Sequence, residues 1–82
     1  MNKYLPAFNR YLLSLKNEKE VEEFLTAIFT PQEIIQIPKR LEIIHLLKKK
    51  TPQHLIAKKL KIGVATVTRG SRELKMNHFK NV

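Results

Sequence analysis

The residues best suited to chemistry lie between Val64 and Lys75, in the segment VATVTRGSRELK. Its opening, Val64 to Thr68, is small or β-branched, and such residues are weak helix formers on an exposed face. Small side chains allow a helix to approach base edges in the major groove of DNA, where methyl groups meet thymine and hydroxyls bond donors or acceptors. Arg69 and Arg72 follow, with cations that can reach phosphates. The pattern indicates a helix that binds DNA.

A second helical pattern directly precedes this segment and predicts a helix-turn-helix. Thr51 and Pro52 predict a helix start, because threonine can cap a helix and proline fits its first position. Gly63 predicts the turn, since glycine tolerates a left-handed or otherwise tight backbone. Lys61 stands where many such units carry glycine, so we expect a variant turn. The unit is expected to cover residues 51–75.

Several side chains of this unit have a predicted role at DNA. Base edges are expected to face Val64, Ala65 and Thr68, with Thr66 also on the DNA-binding side. Phosphate contacts, which fix the register of the protein on the duplex, are expected from Gln53, His54, Lys58, Arg72 and Lys75. The alternative is an ordinary helical hairpin whose lysines are only solvated.

The positive charge is concentrated in the same half of the chain. The net charge is +9 at pH 7. Residues 1–37 carry four basic and five acidic side chains, a net charge of −1, whereas residues 38–82 carry twelve basic and two acidic ones, a net charge of +10. A positive field of this kind favours nucleic acid as the partner.

Other function classes find little support in the composition. With no cysteine, the chain has no disulfide and no thiolate zinc site. His45, His54 and His78 show no paired spacing, so no metal is expected. Two glycines cannot build a glycine-rich phosphate loop, and no nucleophile accompanies paired carboxylates, so no enzyme is expected. Without an apolar membrane-spanning run, we expect a cytoplasmic protein.

The remaining sequence predicts three further helices. Apolar residues recur at three- and four-residue intervals from Tyr4 to Leu15, and a second helix begins near Glu18. Thr30-Pro31-Gln32-Glu33 predicts a capping box that opens a third helix. Pro38 predicts a kink or break near Gln36-Ile37, because proline removes a helical hydrogen bond. The tail, residues 76–82, is too short to predict a helix, and Phe79 either packs against the body or frays.

The predicted helices are too apolar for a chain of 82 residues to bury alone. We therefore expect residues 1–29 to form dimerisation helices, residues 30–50 a central helix and residues 51–75 the helix-turn-helix, within one domain spanning residues 1–82. The fold class is all-α, with five to six short helices. A two-fold dimer would present two recognition helices to a palindrome.

Several motifs also resemble a known family. The most specific are IGVATVTRGSREL at residues 62–74, including TRGS at Thr68–Ser71, supported by Phe29-Thr30-Pro31 and Arg40-Leu41-Glu42-Ile43-Ile44. From Phe24 to Lys75 the sequence resembles the Trp repressor superfamily. The resemblance implies an intertwined, all-helical homodimer that binds double-stranded DNA and represses transcription.

The resemblance also implies a pocket for L-tryptophan as co-repressor. The matching positions are Thr30, Arg40, Arg69, Gly70 and Glu73. Two arginines suit a ligand of this kind, because one can hold a carboxylate and the other can stack on an indole. Glu73 departs from the family, since tryptophan-binding members place a serine there that meets the ligand's amino group. A carboxylate can bind that ammonium, or it can pair with Arg69 and fill the pocket.

The sequence therefore predicts a DNA-binding repressor and leaves the need for tryptophan open. The alternative is a helical, dimeric protein-interaction module whose basic face meets an acidic partner, without base-specific readout. Each pocket residue has a plainer explanation as well. Thr30 is needed as a helix cap with or without a ligand, and Arg69 can contact phosphate.

Overall fold

The computed structural model describes residues 2–82, which form five α-helices and no strand. The helices are α1 (Leu5–Ser14), α2 (Glu18–Ile28), α3 (Pro31–Lys48), α4 (Gln53–Leu60) and α5 (Val64–Lys75). The all-α class predicted from the sequence is confirmed. Within residues 2–82, no helix combines the length and apolar character needed to cross a membrane. The chain divides into two compact units, one up to Ile34 and the other Ile35–Val82.

The first unit is built around an aromatic contact between its two helices. Asn17 caps α2, since its side chain accepts a hydrogen bond from the Glu20 N–H at 2.9 Å. The ring of Phe24 lies 5.8 Å from that of Phe8 and 4.6 Å from that of Tyr11, centroid to centroid. Despite this packing, neither α1 nor α2 contains a buried residue.

The capping box at the start of α3 is confirmed. The Thr30 N–H donates to Glu33 Oε1 at 2.8 Å, and the Glu33 N–H donates to Thr30 Oγ1 at 3.2 Å. The two residues therefore satisfy each other's free amide groups, which fixes where α3 begins.

Of the kink or break expected near Gln36-Ile37, the break is wrong, because α3 runs without interruption through Pro38; the kink stays a prediction. Pro38 lies on an exposed face of the helix. Its ring leaves one carbonyl without an amide partner, and at an exposed face water can satisfy that carbonyl. A single missing hydrogen bond is therefore tolerated within a helix of 18 residues.

The core of the second unit joins α3 to the helix-turn-helix. Its buried residues are Ile43, Ile44, Leu46, Ile56, Ala57 and Val67. Ile43 and Ile44 come from α3, whereas Val67 is the one fully enclosed residue of α5. Lys39 adds a polar link, since its Nζ donates to the Leu60 carbonyl at 2.9 Å. These contacts fix α5 against α3, so its exposed face has a defined direction.

The helix-turn-helix has different end residues from those predicted. Pro52 rather than Thr51 occupies the cap position of α4, and no side chain caps it. The Thr51 N–H donates instead to the Leu46 carbonyl at 3.0 Å, which closes the end of α3. Thr51 therefore belongs to the end of one helix and not to the start of the next.

The turn between α4 and α5 depends on Lys61 and not on Gly63. Lys61 has φ 55° and ψ 51°, a left-handed conformation that ends α4, and the Ile62 N–H bonds the Ala57 carbonyl at 3.0 Å. Gly63 has an ordinary extended backbone with φ −71°, so its conformational freedom is not used. The prediction that Gly63 makes the turn is wrong, while the variant position noted at Lys61 carries the left-handed residue that closes a helix.

Candidate nucleic-acid interface and adjoining cleft

The exposed side of α5 carries the residues predicted to face base edges. Val67 has no exposed surface and anchors the helix in the core. Val64 is 53% exposed, and Ala65, Thr66 and Thr68 are also exposed. A buried anchor among small, accessible neighbours gives a rigid helix whose backbone can approach another molecule closely.

The residues predicted to contact phosphates lie on both helices of the unit. His54 and Lys58 are exposed on α4, and Arg72 and Lys75 are exposed on the second half of α5. Gln53 is half-buried at the first position of α4. All except Gln53 are therefore free to reach a partner.

A side-chain hydrogen bond joins Gln53 to one of the predicted base-reading residues. The Thr68 hydroxyl donates to Gln53 Oε1 at 2.9 Å. This bond links the start of α4 to the middle of α5 and fixes the direction of the Thr68 hydroxyl proton. Its oxygen lone pairs stay free to accept.

A cleft of about 540 Å³ lies between α3 and α5. Its lining residues are Arg40, Ile43, Ile44, Ala65, Thr66, Arg69, Gly70, Glu73 and Phe79. Four of the five residues predicted for the ligand pocket, Arg40, Arg69, Gly70 and Glu73, line it together. The fifth, Thr30, belongs to the first unit, where it caps α3, and its place in a pocket stays a prediction.

The cleft combines charged groups with an apolar floor. Within residues 2–82, neither Arg40 nor Arg69 has an ion-pair partner, so both guanidinium groups are free to bind a ligand. Ile43 and Ile44, which are almost fully buried, lie beneath the cleft, and Ala65 and Phe79 are the more accessible apolar residues that line it. Gly70 allows α5 to pack closely against α3, because it has no side chain. A Cβ at this position would lie only 3.0 Å from the Ile43 Cγ2.

Glu73 does not pair with Arg69, as one sequence interpretation allowed. Its Oε2 contacts Nδ1 of His78, a residue of the tail. The carboxylate therefore stays at the cleft without neutralising either arginine.

Five of the lining residues were not predicted for the pocket: Ile43 and Ile44 of the core, Ala65 and Thr66, which were predicted to lie on the DNA-binding side, and Phe79. Packing against the body was one of the two expected fates of Phe79, and the structure places it, half-buried, among the residues that line the cleft. Its position as an isolated aromatic residue in a polar tail was the available signal. The tail itself forms turns without a helix.

Comparison with known proteins gives one consistent family. The family described as Trp repressor protein matches residues 3–81. A Trp operon repressor homolog of Actinobacillus succinogenes is 40% identical over 73 residues, covering 84% of this chain and 72% of the relative. Similar proteins carrying the same description occur in Mannheimia succiniciproducens, 43% identical over 73% of this chain and 60% of the relative, and in Haemophilus influenzae, 35% identical over 92% and 78%. No solved structure matches the chain.

Proposed function

This chain belongs to the Trp repressor family, and we propose that it represses transcription by binding a palindromic operator as a homodimer, with α5 as the recognition helix. The family consists of DNA-binding transcription regulators and not of enzymes. The operator, the dimer and the ligand are the parts of this proposal that go beyond family membership.

The observation that carries the proposal is the exposed first turn and a half of α5. Its small, β-branched residues surround the enclosed Val67, and its half of the chain holds the whole positive excess of charge. Helix-turn-helix proteins place the N-terminal residues of such a helix in the major groove. Val64, Ala65 and Thr68 would face base edges, and Lys58, Arg72 and Lys75 would hold phosphates.

The homodimer is supported by apolar surface that the first unit leaves open. Tyr4 is 72% exposed and Leu13 is 85% exposed, although both belong to strongly apolar segments. Burial of such side chains against a second copy would stabilise both chains. A two-fold dimer would also present two α5 helices to the two half-sites of a palindrome.

The ligand we propose is an aromatic amino acid, with L-tryptophan as the first candidate. The volume of the cleft, about 540 Å³, falls within the range of small-molecule sites. Arg40 or Arg69 can bind the carboxylate of the ligand, and the other guanidinium can stack on its flat ring. The Glu73 carboxylate can accept a hydrogen bond from the ligand's ammonium group. The ligand would thus bridge α3 and the recognition helix.

The test is selection of duplexes from a random-sequence pool by the purified protein, with and without L-tryptophan. Enrichment of a palindrome only with the amino acid is the expected result. Enrichment in both arms would support a sequence-specific repressor and overturn the proposal that L-tryptophan is its co-repressor. No enrichment in either arm would favour the protein-interaction module, because that module predicts no base preference.

A further inference from the structure

We infer that residues 76–82 form a strap that completes the ligand cleft, with Phe79 as its wall and Lys48 and His78 as the residues that position it. The inference rests on the proposed function of the cleft. It assigns to this segment a role in choosing the ligand, namely a flat aromatic ring that carries an ammonium group.

The strap begins with a chain reversal at the end of α5. The Met76 N–H bonds the carbonyl groups of Arg72 and Glu73, both at 3.2 Å. Asn77 has a left-handed backbone with φ 63°, and its N–H bonds the Leu74 carbonyl at 3.0 Å. This closure turns the following residues back along α5.

Lys48 ties the far end of the strap to α3. Its Nζ donates to the main-chain oxygens of Phe79 and Val82, each at 2.6 Å. An ammonium group has three donors and can therefore bind two main-chain oxygens at once. Since Lys48 is the last residue of α3, one side chain connects the strap to the helix that forms the opposite wall of the cleft.

His78 positions the carboxylate of Glu73 within the same site. The contact uses Oε2 of Glu73. A carboxylate has two acceptor oxygens, so Oε1 stays available for a ligand ammonium. His78 therefore orients Glu73 and does not block it.

Phe79 follows His78 directly and lines the cleft from the strap. An aromatic ring adjacent to a second flat ring gains from offset or edge-to-face packing. With Glu73 beside it, the strap brings together a site for a ring and a site for an ammonium group. Arg40 and Arg69, on α3 and α5, supply the carboxylate site.

The affinity for L-tryptophan tests the positioning role. Because the chain contains no tryptophan, the fluorescence of the bound amino acid can be followed without a tryptophan background from the protein. We expect Lys48→Ala and Phe79→Ala each to raise the Kd about tenfold, the loss of roughly one aromatic or charged contact. Lys49→Ala is the matched control, since Lys49 is an exposed lysine next to Lys48 and, within residues 2–82, only Lys48 of the two donates side-chain hydrogen bonds to the strap; the Kd of this variant should equal that of the wild type.

Selectivity separates a positioning role from a general loss of structure. Glu73→Gln and His78→Ala should reduce the preference for L-tryptophan over indole-3-propionate, which lacks the amine. Phe79→Ala should instead weaken the binding of both compounds. Phe79→Leu provides a second variant that keeps apolar packing, and its Kd should lie between those of the wild type and Phe79→Ala. Unchanged affinity in Lys48→Ala and Phe79→Ala would overturn the inference, as would an unchanged preference in Glu73→Gln.

Failure of the inference and failure of the proposed function give different results. If the wild-type protein selects a palindrome but binds neither compound, the inferred role of the strap is overturned and the proposed repressor function stands. A protein that binds L-tryptophan with the expected dependence on Lys48 and Phe79, but selects no DNA sequence, would support the strap and overturn the repressor.

Discussion

At the residue scale, the hydrogen bond between Thr68 and Gln53 limits which base groups Thr68 would recognise in the proposed complex with DNA. Because the hydroxyl proton points to Gln53 Oε1, with the two oxygens 2.9 Å apart, the Thr68 oxygen would meet a base edge as an acceptor. In the major groove, acceptors pair with the amino groups of adenine and cytosine. If Thr68 faces a base edge as proposed, Gln53 would therefore influence base preference through Thr68, in addition to the phosphate contact predicted for it.

This polarity predicts the effects of substitutions at Gln53. Gln53→Glu keeps an acceptor for the hydroxyl proton and should preserve the base preference. It should lower the affinity for every duplex, because the new carboxylate repels the DNA phosphates. Gln53→Ala frees the proton, so discrimination at that base pair should fall by about 1 kcal/mol. Binding to duplexes that differ at one base pair measures both effects, and Thr68→Val serves as the variant without a hydroxyl. An unaltered preference in Gln53→Ala would contradict the assigned polarity.

Lys58 is expected to act differently, because its ammonium group would contact phosphate. Lys58→Ala should weaken binding to every duplex alike and reduce the slope of log K against log salt by about 1. Titrations over a range of salt concentrations test this, with Lys19→Ala as a control on α2. A sequence-dependent loss would show that Lys58 reads bases.

At the element scale, local signals predicted most of the helices and failed at the turns. The capping box at Thr30 and Glu33 could be read from the sequence because all its partners lie within four residues. The turn could not, since the left-handed residue is a lysine and the nearby glycine has an ordinary backbone. Helix ends depend on where the core stops, and Lys61 follows directly after the last turn that packs on α3.

Lys61 therefore carries strain that glycine would relieve. Lys61→Gly should raise the free energy of unfolding by about 0.5 to 1 kcal/mol, since glycine adopts a left-handed backbone without a steric cost. Lys59→Gly, in the interior of α4, should lower it by about 1 kcal/mol. Urea unfolding of both variants tests the pair. Equal destabilisation would show that the turn gains nothing from glycine.

The cleft marks the limit of local prediction at this scale. Arg40, Arg69, Gly70 and Glu73 were predicted through a family resemblance, and periodicity alone could not have grouped them, because α3 and α5 meet only through tertiary packing. Phe79 and Lys48 lie 31 residues apart in sequence. No local pattern could have joined them.

At the scale of the whole molecule, the apolar surface of the first unit predicts a dimer. Leu13 is 85% exposed, so Leu13→Lys should leave the helices of the single chain intact while it weakens association. Sedimentation velocity should show a shift towards monomer. Leu55→Lys makes the same chemical change at a 47% exposed residue of α4 and should leave the association state unchanged. A wild-type protein that is monomeric at high concentration would rule out the dimer.

If α5 reads base sequence, as we propose, a ratio of affinities tests it most directly. The Kd of the wild-type protein for its selected palindrome should be lower than that for a scrambled duplex by on the order of a thousandfold, and the preference should survive excess competitor DNA. Equal affinities with the same steep salt dependence would mean that the basic half of the chain binds phosphate alone. That result would contradict base recognition by α5.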